Sequence, residues 1–231
     1  MKQKLEKWER WLQVIYDDMV DQATSRTVFR ETAAIIVGNP HIPKDSDFWD
    51  FLGQWYVDST VMGLRRQIKV SPDGISLAGL LEDIAANPGL LSRERFVGLY
   101  PAGEQARANT AFDKHVGPGL TNIDPAGVRV DIDKLKTLAA GCEEYADRFV
   151  AHRDRRGLLT VPTHAELDEA LGLAGRLLQK YYLLLRGNSL VSVSAKLLLP
   201  WKRVFEMPWA PLPGPDNKGI QPTPGAGAAD S

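Results

Sequence analysis

The stretch Asp133–Gly157, DKLKTLAAGCEEYADRFVAHRDRRG, decides the fold class. Together with the preceding Ile132 it places apolar residues at Ile132, Leu135, Ala139, Cys142, Ala146 and Phe149, always three or four apart. At about 100° per residue these positions share one helical face, centred near Cys142. His152 projects to the edge of that face, and Arg148, four residues earlier, stands beside it. Arg153, Arg155 and Arg156 crowd the end before Gly157. A histidine at the rim of an apolar seam, ringed by guanidinium groups, is the main concentration of chemistry in the chain.

The same spacing recurs on both sides of this stretch. Leu5, Trp8, Leu12, Ile15 and Met19 predict a helix over 2–21. The seam turns polar at Gln22–Arg26 and resumes at Phe29, Ala33 and Ile36. That pattern fits one long helix with a polar window or two helices meeting near Thr24; Gly38-Asn39-Pro40 ends it. Ser46 or Asp47 caps the next helix, which runs to about Lys69 with Phe48, Leu52, Trp55 and Met62 as its stripe. Asp58, Arg65 and Arg66 lie near that stripe and are secondary site candidates, though such residues are mostly solvated. Ser76 and Ser92 cap two short helices, the first ended by Asn87-Pro88. Residues 101–126 lack a clear period, although 106–114 fits a helix and His115–Gly119 a loop. Thr163 with Glu166 forms a capping box for the last long helix. Its seam is Leu167, Leu171, Ala174, Leu178, Tyr181 and Leu185, closing at Gly187-Asn188.

Leu190–Leu199 fits a short strand or a docked extended segment, and Trp201, Val204, Phe205 and Trp209 suggest a tail packed on the bundle. From Ala210 onward nine of 22 residues are Pro or Gly, a composition that builds no core. The expected organisation is an all-α bundle of long antiparallel helices over 1–209, its main core joining the seams of 5–36, 48–66, 132–149 and 167–185. A disordered tail is expected over 210–231.

Formal charge is −1 and pI about 6.4, so any anion binding must be local. One cysteine, Cys142, excludes an internal disulfide and fits a reducing compartment. The charged start MKQKLEKWERW lacks the apolar core of a signal peptide. No apolar run approaches the roughly 18 residues of a membrane span. A cytoplasmic protein with no membrane partner is expected. There is no GxxxxGK[ST] loop, no GxGxxG, no HExxH and no CxxC pair. The histidines at 41, 115, 152 and 164 lack metal-ligand spacing, so neither a metal nor a cofactor is expected. Cys142, mid-seam, reads as a packing residue, and His164 as a solvated residue of a first helical turn.

At Ala146–Asp154, ADRFVAHRD, the chain resembles HEPN domains of the AbiU2-like branch, found in bacterial abortive-infection and toxin–antitoxin systems. Leu64–Gln67 (LRRQ), Ile75–Pro88 (ISLAGLLEDIAANP) and Thr163–Tyr182 (THAELDEALGLAGRLLQKYY) extend the likeness weakly over about two thirds of the chain. The resemblance implies a HEPN helical bundle and a homodimer with the 132–156 helix near its two-fold axis. It also implies a metal-independent endoribonuclease site built from an arginine and a histidine with four to six residues between them. In that scheme the histidine moves the proton and the arginine holds the phosphate. His152 matches the histidine, but the positions at that distance hold Asp147, Ala146 and Tyr145, so the motif is degraded. Arg148 would have to supply the cation, with Arg153, Arg155 and Arg156 holding RNA phosphates. The alternative is a non-catalytic HEPN module that binds RNA or a partner protein, such as an antitoxin. A purely structural role for the histidine is the bland alternative, because cations at a helix C-terminus are favoured by about 0.3–1 kcal/mol each.

Overall fold

The computed structural model describes residues 2–151, 160–190, 192–197 and 199–206. The fold is all-α; among the described residues there is no strand, only an isolated bridge between Ser92 and Asn122. The chain divides into two compact units, 1–196 and 197–231.

The first unit opens with α1 (Lys2–Gly38), a single unbroken helix. The polar window near Thr24 does not divide it. Thr24 and Thr27 turn their hydroxyls back onto the carbonyls of Val20 and Ala23, at 2.8 and 2.9 Å, satisfying themselves inside the helix. Gln22 is buried, and its amide lies where a Cβ on Gly63 would come within 2.3 Å. Small size at Gly63 therefore lets α1 approach α2 (Asp47–Ile68).

Ser46 caps α2 through Phe48 N–H. Its core face, however, is not the expected one. Phe48 and Trp55 are exposed, and the buried face is Tyr56, Val57, Thr60, Val61, Leu64, Gln67 and Ile68. Two apolar rows run along this helix, and β-branched and aliphatic residues crowd the inner one. Next come α3 (Leu77–Ala86), capped by Ser76, and α4 (Arg93–Gly98), capped by Ser92. Helix α5 (Gln105–Val116) extends the expected 106–114 by a residue or two at each end and buries Ala108 and Phe112.

Helix α6 (Pro125–Tyr145) begins eight residues before Asp133. Asp124 accepts from the N–H groups of Ala126 and Gly127 while Pro125 opens the first turn. Both are strong start signals, lost in a stretch of weak periodicity. The seam Ile132, Leu135, Ala139, Cys142 and Ala146 is buried as expected, with Phe149 packed on the core at its edge. Helix α7 (His164–Arg186) carries the Thr163–Glu166 capping box and buries the whole anticipated seam. Tyr181, fully buried, donates its hydroxyl to Asp131 on α6 at 2.9 Å, and Lys180 reaches the same oxygen at 2.7 Å.

The core joins α1, α2, α3, α6 and α7 around Trp8, Leu12, Leu64, Leu81, Leu135 and Leu178. Each such side chain, once fully buried, is worth about 1.5–3 kcal/mol. Beyond α7, residues 192–196 run as an extended segment rather than a strand, with Lys196 N–H on the Thr24 hydroxyl at 3.2 Å. In the second unit, Trp201–Glu206 forms a 3-10 helix with Trp201 edge-on to Phe205. Trp209 and the Pro/Gly-rich 210–231 lie outside the described residues.

Candidate functional site

The C-terminal end of α6 changes its hydrogen bonding where the candidate site begins. Over Ala146–Val150 the helix widens into a π turn, with Ala151 N–H bonded to the Ala146 carbonyl at 2.8 Å. Single π turns inside α-helices mark functional positions often enough to single this one out. His152, Arg153, Arg155 and Arg156 follow immediately and lie outside the described residues.

Helix α2 supplies the wall beside this turn. Arg65 donates to Asp147, and Lys69 approaches Asp147 at 4.0 Å and Glu143 at 3.9 Å. Arg148 pairs with Glu144 at 3.0 Å, one helical turn back. About three turns nearer the start of α2, Gln54 donates its amide to the Tyr145 hydroxyl and to Asp58, both at 2.7 Å. Tyr145 in turn donates to Asp58 at 3.3 Å. Burial raises the Tyr145 pKa; the Gln54 hydrogen bond opposes this and the Asp58 charge adds to it. Tyr145 is therefore a protonated donor at neutral pH. Phe149 stacks on its ring at 5.5 Å. On the far side a cavity of about 330 Å³ is lined by Gly141, Glu144, Tyr145, Arg148, Phe149 and Thr160.

Of the candidates that can be placed, the fold brings together Arg148, Asp58 and Arg65 around the π turn. Arg66 is not among them. One step along α2 turns it about 100° away, where it pairs with Asp18 of α1 at 2.7 Å. Gln54, Tyr145 and Asp147 are site residues the sequence did not single out. The i,i+4 pair Gln54–Asp58 was visible as a pattern, but its docking on Tyr145 depends on which face α2 turns inward.

Ala146 is fully buried in the core, so a guanidinium there would need a pocket that the packing does not leave. Asp147 faces α2 and holds Arg65. The three described cations at this end, Arg65, Lys69 and Arg148, each meet a carboxylate. A phosphate would compete with those carboxylates for the same donors.

The other concentrations of polar groups are structural in form. His164 is exposed, with its ring edge-on to Phe29 and Tyr56, which stack at 4.2 Å. Cys142 is buried and its thiol is pushed up to about 11, by burial first and the Glu166 charge second. A thiol so placed is no nucleophile near neutrality. Among the described residues, no group of three or more His, Cys, Asp or Glu could hold a metal ion, and no helix is long and apolar enough to cross a membrane. Compared with protein-family models, curated proteins and solved structures, the chain finds no match.

Proposed function

We propose that this chain is a HEPN protein of the AbiU2-like kind that serves a bacterial defence or toxin–antitoxin system as a binding module rather than as a working nuclease. The observation that carries this reading is the occupancy of the arginine positions. Ala146 is buried and Asp147 is a carboxylate already spent on Arg65. Transition-state charge on a phosphate needs donors held ready and unneutralised. A surface of paired charges is better suited to a protein or RNA partner that exchanges ion pairs on docking.

A second reading has its own support. Arg65 reaches the turn from α2, so a guanidinium is present close to the place from which the chain's own motif lacks one. With His152 as the acid–base residue and Arg65 and Arg148 on the phosphate, metal-independent cleavage of RNA would follow. Arg153, Arg155 and Arg156 would then hold neighbouring phosphates, with binding that weakens as salt rises.

One experiment separates the two. Wild type, His152→Ala and Arg65→Ala are incubated with total RNA in EDTA, and each is also tested for RNA retention in a gel shift. The module reading expects intact RNA with all three proteins. Cleavage that leaves 2′,3′-cyclic ends and vanishes in His152→Ala would overturn it and establish the nuclease.

A further inference from the structure

The extended segment after α7 runs along the groove between α1 and α7. Lys196 fastens it there, with its N–H on the Thr24 hydroxyl at 3.2 Å and its ammonium 5.2 Å from the centre of the Tyr16 ring. Between the two helices and Ser192–Val193 lies a cavity of about 230 Å³. At roughly 30 Å³ for each water in the liquid, that is room for about seven waters. The cavity shares no residue with the one at the π turn. Glycine leaves the space. Gly172 and Gly175, in the middle of α7, both line it. A Cβ on Gly175 would meet nothing within 4 Å, and one on Gly172 would meet the Arg176 Nη1 at 3.3 Å. Close packing therefore demands neither glycine, and each weakens the helix relative to alanine. Their effect is to keep room beside α7.

The lining is of two kinds. Met19, Leu171 and Val193 are apolar, while Arg26 comes from α1, Arg176 from α7 and Ser192 from the extended segment. No carboxylate lines the cavity. Arg26 pairs through Nε with Asp168 at 2.6 Å, but Arg30 takes the other oxygen of the same carboxylate, so two guanidiniums divide one negative charge. Arg176 is exposed and, among the described residues, meets no carboxylate at all. That distinguishes this place from the π turn, where each described cation has its own acid. We propose that the cavity binds a small organic oxyanion, a carboxylate or phosphate carried on a short apolar chain. The head group lies at Arg176 and Arg26, whose planar forks can each offer two N–H groups to an oxyanion, with the Ser192 hydroxyl as a further donor. The chain lies against Met19, Leu171 and Val193, in the room that Gly172 and Gly175 leave. At about 230 Å³ the site falls below the roughly 300–1,000 Å³ of drug-sized pockets, which selects a small ligand. The inference rests on neither reading of the π turn.

The test titrates the full chain with hexanoate and with hexyl phosphate by isothermal calorimetry, using hexylammonium as the control of equal length and opposite charge. Saturable binding of at least one oxyanion is expected, with none of hexylammonium, and the tighter of the two identifies the head group. The bound oxyanion should also raise the melting temperature. Arg176→Gln should weaken binding at least about tenfold, because the fork that holds the head group is gone. Its side chain is exposed, so this variant tests the site without touching the core. Gly175→Leu should fill the cavity and abolish binding while melting no lower than wild type, since leucine replaces a residue that weakens the helix. Three results would overturn the site: no saturable heat with either oxyanion, binding that hexylammonium matches, or affinity that survives Arg176→Gln or Gly175→Leu unchanged.

Discussion

Gly187 closes α7 with a backbone that only glycine adopts cheaply: its φ is 72°, and its N–H reaches the Leu183 carbonyl at 2.8 Å. A Cβ added there would lie 2.9 Å from the Leu99 Cβ. Arg95 finishes the same helix end by donating to the carbonyls of Leu184 and Leu185 at 3.2 and 2.7 Å. Burial lowers the Arg95 pKa, partly offset by Glu9, so the guanidinium is held by carbonyls rather than by solvent. Gly187→Ala is therefore expected to cost about 1–2 kcal/mol from the left-handed backbone alone, and more from the contact with Leu99. Gly53, helical and with nothing within 4 Å of its would-be Cβ, is the control. Gly53→Ala should gain about 0.5–1 kcal/mol. Urea denaturation of the two variants measures both signs, and a Gly187→Ala protein as stable as wild type would refute the strain. This glycine, like the Thr163 cap, was legible in the sequence because its role is local: a cap depends on neighbours three or four residues away.

At the scale of elements, the packing of α1, α2 and α3 turns on Gln67. It is buried, donates its amide to Asp18 at 2.5 Å and accepts the Leu77 N–H at 3.1 Å. One side chain thus joins the middle of α1 to the start of α3. Gln67→Leu keeps the size but leaves the Leu77 N–H buried without that partner, so a loss of about 1–3 kcal/mol is expected. Arg66→Ala removes a solvent-exposed pair with the same Asp18 and should cost about 1 kcal/mol or less. Thermal melts of the two variants give the ranking, which the opposite order would contradict. Here the sequence was only half legible. Helices and their caps could be read, but α2 carries two apolar rows, and the spacing of Phe48, Leu52, Trp55 and Met62 cannot say which side the bundle buries. The choice is made by partners distant in sequence, Gln22 against Gly63 and Leu77 against Gln67. The candidate site inherits the same limit. Arg148 stood out beside the AHRD segment, but Tyr145 gains Gln54, and Asp147 gains Arg65, only once α2 has turned its inner face to α6.

For the whole molecule, titration sets opposite limits on stability. On the acid side, Asp83 of α3 ties down the start of α1, accepting from Lys4 at 2.8 Å, Lys7 at 3.2 Å and the Trp8 indole at 3.0 Å. Burial alone would raise its pKa, but those hydrogen bonds together hold it below the ordinary 3.8. A lowered carboxyl pKa means the unfolded chain takes up the proton first as pH falls. Its contribution is thus complete above about 3.8 and is lost as pH drops through the folded value. On the alkaline side, burial raises Cys142 from 9.0 to about 11, with the Glu166 charge adding to it. Tyr181 is raised by burial first and by Asp131 second. There the unfolded chain releases its protons first, so stability is complete below about pH 9 and falls as pH climbs toward 11 and beyond. The melting temperature is therefore expected to form a plateau bounded by both limbs. Cys142→Ala, which has no thiol to titrate, should stay level further into alkali, until the tyrosines of the unfolded chain begin to ionise near their ordinary 10. Asp83→Asn should lower the plateau and flatten the acid limb, since the ion pairs are already gone at neutral pH. Calorimetric melts of the three proteins across that range decide the assignment. An alkaline limb unchanged in Cys142→Ala would leave the tyrosines alone responsible for it.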